Sequence, residues 1–236
     1  MTLHLRDFVS NIAAGYETEL QGLPGFPVTC TGCLLCGPPS SGKTTLLFNY
    51  AAAVAGRGKT AICLLRRDKI EQCSPLPPAG KNLADDAAFE LVKLKYVEST
   101  EDLLRFAACM HLLPEPPGAI LVDDLSEIMG PSSYMPGEVA RVLAFLADAA
   151  NHATNRGLSS SSCTLVVTEQ VGSDGPKNLF VYRRWLPVVL TLVPDGADNL
   201  LTIHPLTHEN QSLDRCLNVQ IVLRVQQSAI CVSGVK

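Results

Sequence analysis

The chain has 236 residues, 47% of them apolar, with a formal net charge of -4. That length suits one large α/β domain with a substantial core and leaves little room for a second. The acidic balance excludes a protein that coats nucleic acid by bulk charge, so any nucleic-acid contact has to rest on a local basic patch. Each apolar stretch is broken by Gly, Pro or charge before it reaches the length of a membrane span, and the expectation is a soluble protein with no membrane contact. Nine cysteines, an odd number, and no signal peptide point to a reducing compartment.

Residues 1–29 carry weak pattern and are expected to form an N-terminal arm or connector: a short amphipathic stretch at Leu5 to Ala13, then an extended Gly22 to Pro27 segment. Residues 30–236 are expected to form the main domain. Cys30, Cys33 and Cys36 have a C-x-x-C-x-x-C spacing that invites a zinc reading. No second ligand cluster follows at zinc-finger spacing, and the favoured role of these thiols is strand packing.

The strongest motif comes next. Gly37-Pro38-Pro39-Ser40-Ser41-Gly42-Lys43-Thr44 matches G-x-x-x-x-G-K-[ST], the phosphate-binding loop, with an apolar strand-like run before it and a helical run from Thr45 to Ala55 after it. Gly37 and Gly42 allow a tight turn and close approach of an anion. Amide N–H groups from Ser40 through Thr45 then point at the α- and β-phosphates of a nucleotide, because Pro38 and Pro39 have none to offer. In this reading Lys43 reaches the β- and γ-phosphates, and the Thr44 hydroxyl takes a Mg²⁺ site. The implied cofactors are ATP and magnesium.

Gly56-Arg57-Gly58 stops the helix, and Thr60 to Leu65 reads as a second buried strand that exits into Arg66-Arg67-Asp68-Lys69 and a Pro-rich turn. Leu91 to Val97 reads as a strand with Lys93 and Lys95 on its polar face. Ser99 is placed to cap a helix running to about Leu112. Ala119 to Val122 is a buried strand that ends on Asp123 and Asp124. The carboxyl ends of parallel strands face the ligand crevice, so Asp123 is expected beside the loop, holding Mg²⁺ through water together with Thr44. A loop at Gly130 to Pro136 leads to an amphipathic helix from Gly137 to Thr154 with Val139, Val142, Leu143, Leu146 and Ala150 on one face.

After a serine hinge at Ser159 to Ser162, Thr164 to Val171 reads as another buried strand. It is expected to insert between the phosphate-loop strand and the Asp123 strand and to aim Gln170 at the γ-phosphate. The catalytic candidates are therefore Lys43, Asp123 and Gln170. The remainder is read as short strands: Pro187 to Val193, Leu200 to His204, Leu217 to Val225 and Ala229 to Val232. A P-loop nucleoside or small-molecule kinase shares the loop, but such enzymes carry an Arg-rich lid and a terminal helix where this chain has strands.

Val166-Val167-Thr168-Glu169-Gln170-Val171 resembles the recombinase-superfamily strand that ends in Thr-Asn-Gln-Val, and Gly137-Glu138-Val139-Ala140-Arg141 resembles the start of the helix preceding it. The likeness runs from about Cys30 onward, so the separate N-terminal domain of full recombinases has no counterpart. It implies a RecA-like P-loop ATPase core, a mostly parallel sheet flanked by helices with C-terminal antiparallel strands, and DNA-binding loops at Gly130 to Pro136 and Gly172 to Asn178.

Among recombinase paralogues, the Leu65-Arg66-Arg67 exit, the Lys93-Leu94-Lys95-Tyr96 strand followed by Ser99-Thr100-Glu101, and the compact length resemble the short ATPase subunits of the vertebrate Shu complex. That implies a nuclear, single-stranded-DNA-stimulated ATPase, partnered with a SWIM-domain zinc-finger protein, that supports the recombinase filament in homologous recombination and DNA repair. The alternative is an assembly subunit whose nucleotide is mainly structural.

One departure from the recombinase pattern stands out. These proteins place a glutamate just after the second strand to polarise water, and here that place holds Arg66-Arg67, with Asp68, Glu71, Asp124 and Glu169 as possible substitutes. Slow turnover is the expectation. Arg66, Arg67 and Lys69 are weighed evenly as contacts for DNA or nucleotide and as merely solvated cations, and Lys177 is a DNA candidate. Tyr134 is the loop aromatic to watch, its bland role being an anchor, and Arg183 and Arg184 are read as paired with acids slightly sooner than with phosphates.

Overall fold

A computed structural model describes residues 4–9, 18, 21, 31–72, 87–157, 162–172, 177–194, 200–205, 221–225 and 230–235. The strands are β1 (Gly32–Gly37), β2 (Ala61–Leu65), β3 (Val92–Tyr96), β4 (Ala119–Val122), β5 (Thr164–Gln170), β6 (Val188–Pro194), β7 (Leu200–Pro205), β8 (Ile221–Val225) and β9 (Ile230–Val235). The helices are α1 (Lys43–Ala55), α2 (Arg67–Gln72), α3 (Thr100–Ala108), α4 (Leu125–Met129), α5 (Pro136–Arg156) and α6 (Leu179–Trp185). The described strands form one sheet in the order β3-β2-β4-β5-β1-β6-β7-β8-β9. From β3 through β6 all pairings are parallel, and from β6 to β9 they are antiparallel.

The central strands are buried along their whole length, which is why their sequences run apolar without alternating. Successive residues still face opposite sides. Cys33, Leu35, Cys63, Leu65, Leu121 and Val166 enter a layer closed by Leu46, Leu47, Tyr50 and Val54 of α1. Leu34, Cys36, Leu64, Val122 and Val167 enter the opposite layer, closed by Leu103 of α3, Val142, Leu143 and Leu146 of α5, and Tyr182 of α6. Cys33 and Cys36 thus lie in separate cores and cannot ligate one ion together. Cys30 falls outside the described residues, as do the Pro-rich turn after α2 and most of the serine hinge.

In the N-terminal arm, a 3-10 turn at Leu5–Phe8 packs on α1. Leu5, Phe8 and Val9 are buried, the Phe8 ring lies 4.7 Å from that of Tyr50, and buried Asp7 pairs with Arg57. Helix α3 starts where the sequence places its cap, with the Asp102 amide donating to Ser99 Oγ at 3.2 Å. It stops earlier than expected, at Ala108, and a separate 3-10 turn covers Met110–Leu112.

Three helices escape the sequence reading. The Arg66 to Lys69 exit becomes α2, the stretch between Asp124 and the Gly130 loop becomes α4, and the segment after the second loop becomes α6. Strand β8 begins at Ile221, four residues after the expected start at Leu217, and residues 217–220 lie outside the described set. No helix among the described residues is long and apolar enough to cross a membrane.

Candidate functional site

The loop between β1 and α1 owes its shape to its glycines. A Cβ on Gly37 would lie 2.6 Å from Ser41 Oγ and 2.9 Å from Leu192 Cβ, and Gly42 has φ 77, a left-handed conformation that costs a side chain dearly. Ser40, at φ 56, is one of three described non-glycine residues with positive φ, beside Asp124 and Asn178. Two of these three strained positions border the same crevice, as is common where a backbone is held for function. Gly42 caps α1, so the first-turn N–H groups have no intrahelical acceptor and point out of the helix end, the arrangement that receives phosphate.

Lys43 is buried and folded over the loop, its ammonium donating to the carbonyls of Gly37 at 3.0 Å and Pro38 at 2.7 Å. Burial draws its pKa below the ordinary lysine range, opposed by the carboxylates of Asp124 and Asp123. Ser41 is buried under the loop and Thr45 in the first turn of α1.

The C-terminal ends of β1, β2, β4 and β5 meet here, as an open parallel sheet requires of its ligand crevice. Strand β5 does lie between β1 and β4, with Gln170 in register with Gly37 and exposed beside the loop. From the end of β4, Asp123 reaches Thr44: the hydroxyl donates to Asp123 Oδ2 at 2.8 Å. On its other side Asp123 Oδ1 accepts from Thr168 Oγ1 at 2.9 Å, and that hydroxyl accepts the Asp124 N–H at 2.8 Å. The two residues expected to hold magnesium therefore converge from segments 79 positions apart, and Thr168 fixes the carboxylate's orientation.

The loop, helix end, ammonium and hydroxyl–carboxylate pair fit a magnesium-bound nucleoside triphosphate. No group of three or more His, Cys, Asp or Glu among the described residues is arranged to hold a metal unaided, so a metal here would need phosphate oxygens to complete its shell. A separate cavity of about 650 Å³, lined in part by Ile62, Lys93, Lys95, Phe106 and Met110, shares no residue with the loop or the acidic pair.

The second-strand exit carries no carboxylate into the crevice. Asp68 is tied back to Arg66, 2.6 Å from its guanidinium, Glu71 is exposed, and Arg67 lies over the Tyr96 ring at 4.4 Å. Lys69 turns inward instead. Its ammonium sits 3.1 Å from Asp123 Oδ2, 3.2 Å from Asp124 Oδ2 and 3.6 Å from Glu127 Oε2. Burial works against its charge, yet Asp123 and Asp124 overcome that and hold its pKa above the usual lysine value. The sequence weighed Lys69 only as one of several basic residues, because its target carboxylates lie more than fifty positions away.

Glu169 stands where the recombinase pattern has Asn, and it faces away from the loop into a buried network. It accepts from the Tyr182 hydroxyl at 2.7 Å and the Ser126 N–H at 3.3 Å, and Tyr134 meets Tyr182 hydroxyl to hydroxyl at 3.0 Å. Burial raises its pKa to about 7, against those hydrogen bonds. Tyr134 thus has the anchoring role. Arg184 lies over the Trp185 ring at 5.4 Å, and Lys177 is exposed at the end of the second loop.

Fold and site together define a P-loop protein with a RecA-like α/β fold. Among solved structures, that of the RadB recombinase superposes with a TM-score of 0.58 at 14% identity, covering 85% of this chain and 89% of that one, a likeness of fold. No family model matches the sequence. The human protein ATPase SWSAP1 is 32% identical over 168 residues, covering 69% of this chain and 72% of the human one. Mouse ATPase SWSAP1 is 31% identical over 170 residues, covering 69% of this chain and 59% of the mouse one. The chain belongs to the SWSAP1 ATPase family.

Proposed function

We propose that this protein binds ATP with magnesium, hydrolyses it slowly, and acts as the ATPase subunit of a recombinase-paralogue assembly that supports recombinase filaments in homologous recombination. The nucleotide half of this reading rests on the meeting of Lys43, Thr44 and Asp123 at one helix end. In it, N–H groups from Ser40 to Thr45 face the α- and β-phosphates, and Lys43 exchanges the Gly37 and Pro38 carbonyls for phosphate oxygens. Thr44 and Asp123 hold the metal, and Gln170 contacts the terminal phosphate from the end of β5. Bound magnesium would supply charge neutralisation to the phosphates.

Slow turnover is supported by the absence of a carboxylate in the crevice from Arg66 to Lys69, and by the tying of Asp68 to Arg66 and of Glu169 to Tyr182 and Ser126. Asp124, next to Asp123 at the end of β4, is the carboxylate left over, and it is paired with Lys69.

The recombination half is supported by membership in the SWSAP1 family and by the RadB-like fold. Single-stranded DNA would be contacted through Lys177, Arg183 and Arg184 beside the second loop, with exposed Phe180 offering a base a stacking face. A SWIM-domain zinc-finger protein as partner and a nuclear location complete the proposal. The observation that favours the assembly alternative is Lys69, which already neutralises the acidic pair and lets the fold stand without metal.

Thr44→Val separates the two readings, since it removes the metal-binding hydroxyl and keeps the shape. Loss of DNA-stimulated turnover together with loss of repair support identifies a working ATPase. An intact partner complex with retained repair identifies a structural nucleotide. Affinity for a single-stranded oligonucleotide must also fall with rising salt, and a flat salt profile would remove the phosphate contacts from the account.

A further inference from the structure

Lys69 lies outside the phosphate loop, yet its ammonium sits on the carboxylate oxygen that Asp123 would offer a divalent cation. It shares Asp123 Oδ2 with the Thr44 hydroxyl, at 3.1 and 2.8 Å, and it also reaches Asp124 Oδ2 at 3.2 Å. The Asp123 and Asp124 side chains are 0% and 4% exposed, so water does little to screen their charges, whereas Lys69 at 21% lies on the rim of the crevice. Lys43, the other ammonium, is turned toward the Gly37 and Pro38 carbonyls and leaves the acidic pair to Lys69.

A divalent ion arriving with nucleotide would meet this occupied position. Two cations within a few ångströms of one carboxylate oxygen repel strongly in a buried site, so one has to leave. The element that carries Lys69 is short and shallowly held: α2 has six residues, none fully buried, with Ile70 part-buried against the core. At its start it is moored to β3 by Arg67 over Tyr96, while the Arg66 pair with Asp68 is internal to the segment.

We infer that Lys69 is a tethered counter-cation: it neutralises Asp123 and Asp124 when no metal is bound and yields its place to the nucleotide-borne divalent ion, so that loading shifts the Arg66 to Gln72 segment. This rests on the nucleotide-site reading above. It makes Lys69 a positioning residue whose effect is on metal dependence. With Lys69 present, nucleotide without metal meets a neutralised pair and still binds. Without it, two uncompensated carboxylates confront the phosphates unless a divalent ion intervenes.

The test is equilibrium binding of a fluorescent ATP analogue to the full chain, in magnesium and in EDTA, with the ratio of the two affinities as readout. Lys69→Met should raise that ratio at least about tenfold over wild type, by weakening binding in EDTA while leaving binding in magnesium unchanged or tighter. Lys69→Arg, which keeps the charge, should stay near the wild-type ratio. Lys69→Met combined with Asp124→Asn should bring the ratio back down. The double variant also serves, against Asp124→Asn alone, if the single one does not fold. A Lys69→Met ratio within about twofold of wild type, or one that stays raised in the double variant, overturns the inference. Wild type that binds in neither buffer overturns the nucleotide reading itself, a distinct failure.

Discussion

The exits of β1 and β2 open on the same crevice with opposite characters. At the first, Gly37, Gly42, Lys43 and Thr44 supply a turn, a helix end, a cation and a hydroxyl arranged around space for phosphate. At the second, Arg66, Arg67 and Asp68 face outward or bind each other, and Lys69 fills the acidic pair. In the proposed reading the first side holds a nucleotide, and the second brings no carboxylate into the crevice to activate water against it. A shared fold can thus keep its binding half and alter its hydrolytic half independently, since each is set by a different strand-to-helix turn.

The largest expected effect on stability tests how far the two sides depend on their common carboxylate. Asp123→Ala deprives Lys69, Thr44 and Thr168 of their shared acceptor, and should cost about 3 kcal/mol in denaturant unfolding because it breaks a buried charge pair. A loss no larger than that of a surface substitution would mean the two exits are not joined through this residue.

Next in size is a pH effect of Glu169, which joins the crevice to the Tyr134 loop. Its folded pKa of about 7 lies above the reference value of 4.5, so its stabilising contribution is complete below the lower value and is lost as pH rises through the upper one. Wild type should therefore lose on the order of 2 kcal/mol between pH 5 and 8 that Glu169→Gln does not lose. Parallel pH profiles for the two proteins would contradict the assignment.

A smaller effect belongs to a site away from both exits. Ser99→Ala removes the cap of α3 and should cost about 1 kcal/mol with no change in nucleotide affinity, by chemical unfolding and by analogue binding. Smallest of all is Arg66→Ala. The Arg66 and Asp68 side chains are 33% and 47% exposed, so the melting temperature and nucleotide affinity should stay where they are. A clear drop in affinity would show that the second exit takes part in binding.

The parts of the site that depend on local chemistry were legible in the sequence. The spacing of Gly37 to Thr44 dictates a loop and a helix end, and the apolar run before Asp123 dictates a strand that delivers a carboxylate to the same edge. The position of β5 between β1 and β4, with Gln170 at its end, was expected from the order of elements, a buried strand after the acidic one that ends in polar Thr168-Glu169-Gln170. Contacts between charges distant in sequence were not legible. Lys69 reads as one more solvated cation until α2 forms and turns it onto Asp123 and Asp124. Glu169 reads as polar and near the phosphate until strand alternation sends it to the opposite layer, toward Tyr182. Helix α6 was hidden because its seven residues, five of them apolar or aromatic and two arginines between Tyr182 and Trp185, carry no cap signal for a helix that short.

The central claim is that the β1 exit cradles a magnesium-bound triphosphate. Thermal unfolding of the full chain with saturating ATP and magnesium tests it most directly, with Lys43→Ala alongside. At a ligand concentration of about a hundred times Kd, wild type should melt roughly 5 °C or more above its nucleotide-free value, and the variant should not move. A wild-type midpoint that ignores the nucleotide, or an equal shift in Lys43→Ala, would contradict the account.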